Sequence, residues 1–167
     1  MDYSDLSGGL VRMLDRLNEE GTATEDPEAD DLLREDPNAL LLGLLYDQRV
    51  RAETAFTGPQ KLKERLGHLD LEKIAEMEFD AFQEVFSESP AVHRFTNSMA
   101  ERTQRVARIL VDEYDGDASG LWNDGADVDT IEKRVRSLPG FGPSKSGKLK
   151  YCLHFFGHRD FGDYQPE

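Results

Sequence analysis

The chain has 167 residues, a length that suits one domain with a core of its own. Its formal net charge at pH 7 is −14 and its hydrophobic residues make up 38%, which is typical of a polar globular protein. The single cysteine, Cys152, excludes an internal disulfide and any zinc or iron–sulfur site with four cysteine ligands. The longest apolar run, residues 39–46, is too short to span a bilayer, and no signal segment opens the chain. We therefore expect a cytoplasmic protein without a membrane segment.

The hydrophobic periodicity of the first third of the chain predicts helices separated by an acidic loop. Residues 1–20 have one apolar face and form an N-terminal helix, with Ser4 as its cap. Residues 21–37 are rich in Asp and Glu and predict a mobile acidic loop. Residues 38–56 are apolar on every side, which is typical of a buried helix. A short helix that opens with a proline follows over residues 59–66.

The remainder of the chain is also helical, and no segment alternates as a β-strand does. Asp70 and Asp80 stand where the N-caps of two short helices are expected. A long amphipathic helix covers residues 98–115, and a helix-hairpin-helix covers about residues 130–157. The sequence therefore predicts an all-α fold in which residues 38–167 form one globular unit.

The hairpin sequence Leu-Pro-Gly-Phe-Gly, residues 138–142, lies between two amphipathic helices. Pro139 cannot continue the first helix, and the two glycines permit a positive φ and a close approach of another backbone. The amides that follow open the last helix, and a helix N-terminus is an anion site because its N–H groups are unpaired. Lys145 and Lys148 add positive charge beside these amides. The physical interpretation is a helix-hairpin-helix that binds a phosphate group.

The positive charge of this acidic chain is concentrated around the hairpin. Residues 131–160 contain seven lysines and arginines against two acidic residues, a net charge of +5. A basic segment in an acidic protein indicates a surface that binds a polyanion. A solvated helix face is an equal alternative on the charge pattern alone.

Several segments together resemble a known family. Residues 137–145 resemble the hairpin of the HhH-GPD superfamily of base-excision DNA glycosylases, the endonuclease III relatives. Residues 39–51 resemble the family's buried early helix, which ends in a glutamine, and residues 99–117 resemble the helix before the hairpin. The similarity covers residues 38–157 in the expected order. Residues 90–94 and the hairpin suggest a compact branch of the superfamily without the iron–sulfur cluster.

This resemblance implies DNA contacts at particular positions. Gln48 matches the glutamine that fills the gap left when the target base is flipped out of the duplex. A polar helix-end residue bonded to backbone is an equal alternative for Gln48. Ser144 stands where lyase members carry a nucleophilic lysine, and a Schiff base needs an amine, so no lyase step is expected there. The residues implied to bind the DNA are Gln48, Gly140, Gly142, Ser144, Lys145 and Lys148.

The resemblance also implies a cation and a catalytic carboxylate. The main-chain carbonyls of Arg136, Leu138 and Phe141 match positions that bind a monovalent cation, K⁺ or Na⁺, and no other cofactor is expected. The family's catalytic aspartate, which stabilises positive charge on the sugar or activates water, corresponds best to Asp163, with Asp160 as the second choice. Only four residues follow Asp163, fewer than family members have after this aspartate.

The function that the resemblance implies is base-excision repair. We expect a monofunctional DNA glycosylase that acts as a monomer on duplex DNA containing a lesion or mismatch. One alternative is a DNA lesion or structure binder that has lost the catalytic aspartate. Another is a protein-interaction module that keeps the fold and presents its acidic surface. The sequence leaves the target lesion open.

Overall fold

The computed structural model describes residues 1–162 and Tyr164, and this part of the chain is built from helices. In chain order the α-helices are α1 (Gly9–Glu20), α2 (Pro27–Glu35), α3 (Pro37–Tyr46), α4 (Ala52–Leu66), α5 (Leu71–Glu76), α6 (Phe79–Ser87), α7 (Thr96–Tyr114), α8 (Val128–Arg136) and α9 (Pro143–Phe155). A 3-10 helix, Ala118–Leu121, lies between α7 and α8. The described residues contain no β-strand, and the predicted all-α fold is confirmed. None of their helices is both long and apolar enough to cross a membrane.

Helix α3 forms the centre of the core. All of its residues from 39 to 46 are buried, and α2, α4 and α9 pack around it. Two glycines allow α3 and α4 to approach closely. A Cβ on Gly43 would lie 2.6 Å from Phe56 Cδ1, and a Cβ on Gly58 would lie 2.7 Å from Tyr46 Cδ2. Outside this pair, α5 and α6 pack against α7, and α8 packs against α9.

The predicted helix over residues 38–56 is wrong in its second half. Helix α3 ends at Tyr46, and the chain turns over residues 47–51, where Arg49 has a φ of +55°. Helix α4 then begins at Ala52 and continues through Pro59, which the sequence predicts as the start of a helix. The turn lets α3 and α4 pack against each other as two helices, which one continuous helix cannot do. Residues 47–51 include neither glycine nor proline, and the one sign of the break in the sequence is that four of these five residues are polar or charged.

The first helix begins later than predicted. Its N-cap is Gly8, with a φ of +94°, and no side chain caps it. Ser4 does not cap a helix, and its N–H donates to Asp2 Oδ1 at 2.8 Å. Two adjacent glycines at positions 8 and 9 disfavour helix there, which explains the late start.

The helices before and within the hairpin region agree more closely with prediction. Asp70 is confirmed as an N-cap, since its Oδ1 accepts the Lys73 N–H at 3.2 Å. Asp80 instead lies in the first turn of α6, whose N-cap is Glu78. The long helix and the helix-hairpin-helix are confirmed as α7, α8 and α9, within two residues at each end of α7.

The predicted acidic loop over residues 21–37 is wrong, because α2 lies inside it. Asp26 caps this helix by accepting the N–H groups of its first turn. Asp30 is only 3% exposed, and its carboxylate accepts the Thr22 hydroxyl at 2.6 Å, the Thr24 hydroxyl at 2.8 Å and the Thr24 N–H at 2.9 Å. One of the acidic residues of this segment is therefore buried, and its hydrogen bonds connect α2 with the residues that precede it.

Replacement of Asp30 tests whether its buried carboxylate stabilises this segment. We expect Asp30→Ala to lower the free energy of unfolding by about 3 kcal/mol, because the threonine hydroxyls and the amide lose their acceptor. The matched control is Asp31→Ala, which removes an exposed partner 3.6 Å from Arg34 and costs less than about 0.5 kcal/mol. Urea unfolding followed by circular dichroism measures both. Equal effects of the two variants would contradict a structural role for Asp30.

Candidate nucleic-acid interface

The turn between α8 and α9 packs against the end of α3. Leu138 and Phe141 are each 3% exposed and fill the core beneath the turn, and the Phe141 N–H donates to the Leu138 carbonyl at 3.2 Å. Gly140 has a φ of +85°, and a Cβ there would lie 2.6 Å from Leu45 Cδ1 on α3. Only glycine combines this backbone conformation with so close an approach. The turn is therefore fixed against one end of the central helix.

The first turn of α9 presents open backbone amides. Gly142 is the N-cap, with extended backbone, and no side chain caps the helix. Gly142, Pro143 and Ser144 are exposed. In the described part of the chain, the N–H groups of Ser144 and Lys145 have no hydrogen-bond partner, as is usual in the first turn of a helix. They lie at the positive end of the helix dipole, where an anion is favoured, and their predicted phosphate contact stays a prediction.

The side chain of Lys145 turns from this site toward α3. Its Nζ donates to the Leu45 carbonyl oxygen at 2.8 Å, which places a positive charge at the C-terminal end of α3. Burial lowers the pKa of Lys145 to about 8, and the Asp47 carboxylate opposes this effect. Lys145 thus holds α9 to α3, and its predicted phosphate contact stays a prediction.

Gln48 lies in the loop of residues 47–51, between α3 and α4. Its side chain is half-buried, and its Oε1 accepts a hydrogen bond from Arg102 Nη1 on α7 at 3.1 Å. Arg102 also lies against the hairpin, since a Cβ on Gly140 would be 3.2 Å from Arg102 Cδ. The partner of Gln48 is therefore a side chain shared with the hairpin, and its insertion into DNA stays a prediction.

A buried histidine fixes the start of this loop. His93 Nε2 donates to the Tyr46 carbonyl oxygen at 3.0 Å, and its Nδ1 accepts the Phe95 N–H at 3.0 Å. Burial lowers the pKa of His93, so the ring is neutral at pH 7, as these two hydrogen bonds require. The loop that carries Gln48 is thereby held beside the segment that carries Arg94.

A cleft of about 730 Å³ opens beside this loop. We name it the basic cleft, after its charged lining residues, which are Arg12, Arg49, Arg51, Arg94, Lys148 and Asp47. All four arginines are exposed. Five cations face two carboxylates, that of Asp47 in the lining and that of Glu53 behind Arg12 and Arg51, which leaves an excess of positive charge in a protein whose net charge is −14, so the cleft attracts anions.

Glu53 holds two of these arginines in place. It is 8% exposed, and its carboxylate accepts hydrogen bonds from Arg12 Nε at 3.0 Å and from Arg12 Nη2 at 3.1 Å. Arg51 Nε lies 3.6 Å from the same carboxylate. The hydrogen bonds from Arg12 lower the pKa of Glu53, which therefore stays ionised. A bidentate pair fixes the guanidinium plane, so this rim of the cleft is ordered without a ligand.

Sequence reasoning missed most of the basic cleft. Arg49 and Arg51 directly follow Gln48, and that clustering is the signal that the sequence contains. Arg12 joins the cleft only because α1 packs against α4. Asp47 belongs to no sequence motif, and only its position in the cleft identifies it as a candidate site residue.

Residues 42–159, which include the loop, the hairpin and α9, match the family model described as HhH-GPD superfamily base excision DNA repair protein. The chain belongs to the HhH-GPD superfamily. Among curated proteins, none matches it. Membership of the HhH-GPD superfamily implies DNA binding in base excision repair.

The structure describes only one of the two predicted catalytic aspartates. Asp163 lies outside the described residues. Asp160 follows the C-terminal end of α9, while Lys145 lies at its N-terminal end, and the helix between them is about 15 Å long. The Asp160 side chain is 88% exposed, lies 3.5 Å from His154 Nδ1 and accepts the Gly162 N–H at 2.7 Å.

The hairpin carbonyls are compatible with the predicted monovalent cation. The Leu138 carbonyl accepts the Phe141 N–H, whereas those of Arg136 and Phe141 accept no hydrogen bond within the described part of the chain. A carbonyl oxygen has two lone pairs, so all three retain capacity for an oxygen-ligated ion. The cation stays a prediction. The described residues contain no group of three His, Cys, Asp or Glu side chains arranged to hold a metal ion.

Substitution of the two hairpin glycines by alanine should affect the stability of the protein to very different extents. Gly140→Ala should lower the free energy of unfolding by about 3 kcal/mol, because it combines an unfavourable positive φ with a clash against Leu45. Gly142→Ala should lower it by only about 0.5–1 kcal/mol, the cost of alanine at an N-cap, because no atom lies within 4 Å of the added Cβ and φ is −86°. Denaturant unfolding measures both. A similar loss for the two variants would contradict the described turn.

Proposed function

We propose that this HhH-GPD protein is a monofunctional DNA glycosylase, which hydrolyses the bond between a damaged or mismatched base and its sugar in duplex DNA. The observation that carries the proposal is the meeting of three features at the C-terminal end of α3. These features are the open amides of the hairpin, Gln48 and the basic cleft. Each supplies one contact that extraction of a nucleotide from a duplex needs.

The contacts that join these features run through α3 and α9. Gly140 packs against Leu45, and the loop with Gln48 begins two residues after Leu45. Ser144 and Lys148 are four residues apart on α9, so they share one face of that helix. Lys148 lines the basic cleft. A DNA strand whose phosphate lies at the hairpin amides therefore has the cleft beside it.

The proposed division of labour follows from this arrangement. The hairpin amides bind a backbone phosphate, which fixes the register of the duplex without reading its sequence. Gln48 occupies the gap in the base stack, and the extruded nucleotide enters the basic cleft. The volume of about 730 Å³ lies within the range of about 300–1,000 Å³ usual for ligand pockets.

The nucleophile in this proposal is water rather than a lysine. Ser144 has no amine, and the Nζ of Lys145 is engaged with the Leu45 carbonyl. A Schiff base with the sugar requires a free amine at the sugar carbon. Borohydride treatment of the protein with abasic DNA is therefore expected to trap no covalent adduct.

Binding to abasic DNA tests the proposal without knowledge of the lesion. We expect a duplex with one tetrahydrofuran abasic analogue to bind about tenfold more tightly than the intact duplex, a difference of about 1.4 kcal/mol. Lys148→Gln should weaken binding to both and reduce the slope of log affinity against log salt by about 1, because one phosphate contact is lost. Fluorescence anisotropy between about 50 and 300 mM NaCl measures the affinities and the slope. Over this range of salt, a protein with several phosphate contacts loses about 10-fold or more in affinity.

The matched control is Lys63→Gln, which removes the same charge from the exposed C-terminal part of α4. It should leave both affinities within about twofold of the unaltered protein. Negligible binding to both duplexes at low salt would instead favour the protein-interaction module. Base release from duplexes with deaminated, oxidised, alkylated or mismatched bases then separates a glycosylase from a non-catalytic lesion binder.

A further inference from the structure

Asp47 occupies a distinctive place in the basic cleft. It is the C-cap of α3, where its N–H donates to the Leu44 carbonyl at 3.1 Å, and it directly precedes Gln48. Asp47 lines the cleft together with Lys148 from α9. It thus lies in the cleft and is adjacent in sequence to the residue predicted to enter the duplex.

The carboxylate of Asp47 is available for a ligand. It is half-buried, yet it has no hydrogen bond and no ion pair with any residue that the structure describes. Other buried or half-buried carboxylates of the fold are engaged. Asp30 accepts hydrogen bonds from two threonines, Glu53 pairs with Arg12, and Glu132 accepts a hydrogen bond from Lys150 Nζ at 2.9 Å. Asp47 therefore has no structural partner that explains its place.

The carboxylate of Asp47 is partly desolvated and lies near two lysines. Burial raises the pKa of Asp47, and the ammonium groups of Lys148 and Lys145 act in the opposite direction. A partly desolvated carboxylate stabilises a developing positive charge more strongly than one in bulk water. It also accepts a proton more readily than an exposed aspartate does.

We propose that Asp47 is the catalytic carboxylate of this protein and acts on the sugar of the nucleotide held in the basic cleft. The inference rests on the proposed glycosylase function. As the bond between C1′ and the base nitrogen breaks, its electron pair leaves with the base, which takes a proton from solvent. Asp47 stabilises the positive charge that develops on the sugar and accepts a proton from the water whose oxygen bonds to C1′. The products are the free base and a sugar with a hydroxyl at C1′.

This assignment differs from the prediction made from the family resemblance. Asp163 stays a prediction, and Asp160 lies at the far end of α9 with His154. Asp47 is the carboxylate that the described structure places beside both Gln48 and Lys148. The two assignments predict different variants to be inactive, so they are separable by experiment.

A pair of abasic analogues tests the carboxylate directly. A pyrrolidine in place of the sugar is protonated at neutral pH and resembles the cationic transition state, whereas tetrahydrofuran is neutral and similar in shape. We expect the protein to bind the pyrrolidine duplex about tenfold more tightly than the tetrahydrofuran duplex. Asp47→Asn should abolish this preference while it leaves tetrahydrofuran binding within about threefold of the unaltered protein. Asp112→Asn, which alters an exposed partner 3.9 Å from Arg108 on α7, is the matched control and should keep the preference.

Each outcome decides the assignment. If Asp163→Asn loses the preference and Asp47→Asn keeps it, the assignment of Asp47 is wrong. If the protein binds both abasic duplexes more tightly than intact DNA but does not distinguish them, the inference is overturned while lesion recognition stands. If neither analogue is preferred over intact DNA, the proposed function fails and the inference with it. Thermal unfolding checks that Asp47→Asn is folded, and Asp47→Ser replaces it if it is not, with the same loss of preference expected.

Discussion

The contact between the hairpin and the C-terminal end of α3 is the constraint on which the rest of the site depends. Gly140 packs against the Leu45 side chain, and Lys145 donates to the Leu45 carbonyl from 100 positions further along the chain. These two interactions fix α9 relative to α3. As a consequence Lys148 faces the loop of residues 47–51, and the basic cleft forms between them. The open amides of the hairpin and the basic cleft are therefore linked through the buried residue Leu45.

The distribution of charge gives this contact its functional meaning. The whole protein carries −14, yet the hairpin segment carries +5 and four arginines gather around the cleft. The charge pattern therefore repels a polyanion from most of the surface and attracts it at one end of α3. Glu53 orders this rim of the cleft without a ligand, because its carboxylate pairs with Arg12 and Arg51.

The parts of the structure that follow from local sequence were predictable. The Leu-Pro-Gly-Phe-Gly turn and the amphipathic α7 have local signals, and the structure agrees with both. The break after Tyr46 was not predictable, because it depends on how α3 and α4 pack and no glycine or proline marks it. Helix α2 was missed although it has a local start signal, since Asp26 is an N-cap and Pro27 opens the helix; the acidic composition favoured a loop instead. The cleft was missed for a different reason, since Arg12 reaches it only through tertiary packing.

Protection of backbone amides by DNA tests most directly whether this end of α3 is the DNA-binding face. Hydrogen–deuterium exchange with and without a duplex containing the tetrahydrofuran analogue reports each segment separately. We expect slower exchange in residues 47–51 and 141–148 on binding, and unchanged exchange in α5, which packs against α7. Protection confined to α5 or to other acidic helices, with none at the hairpin, would contradict it.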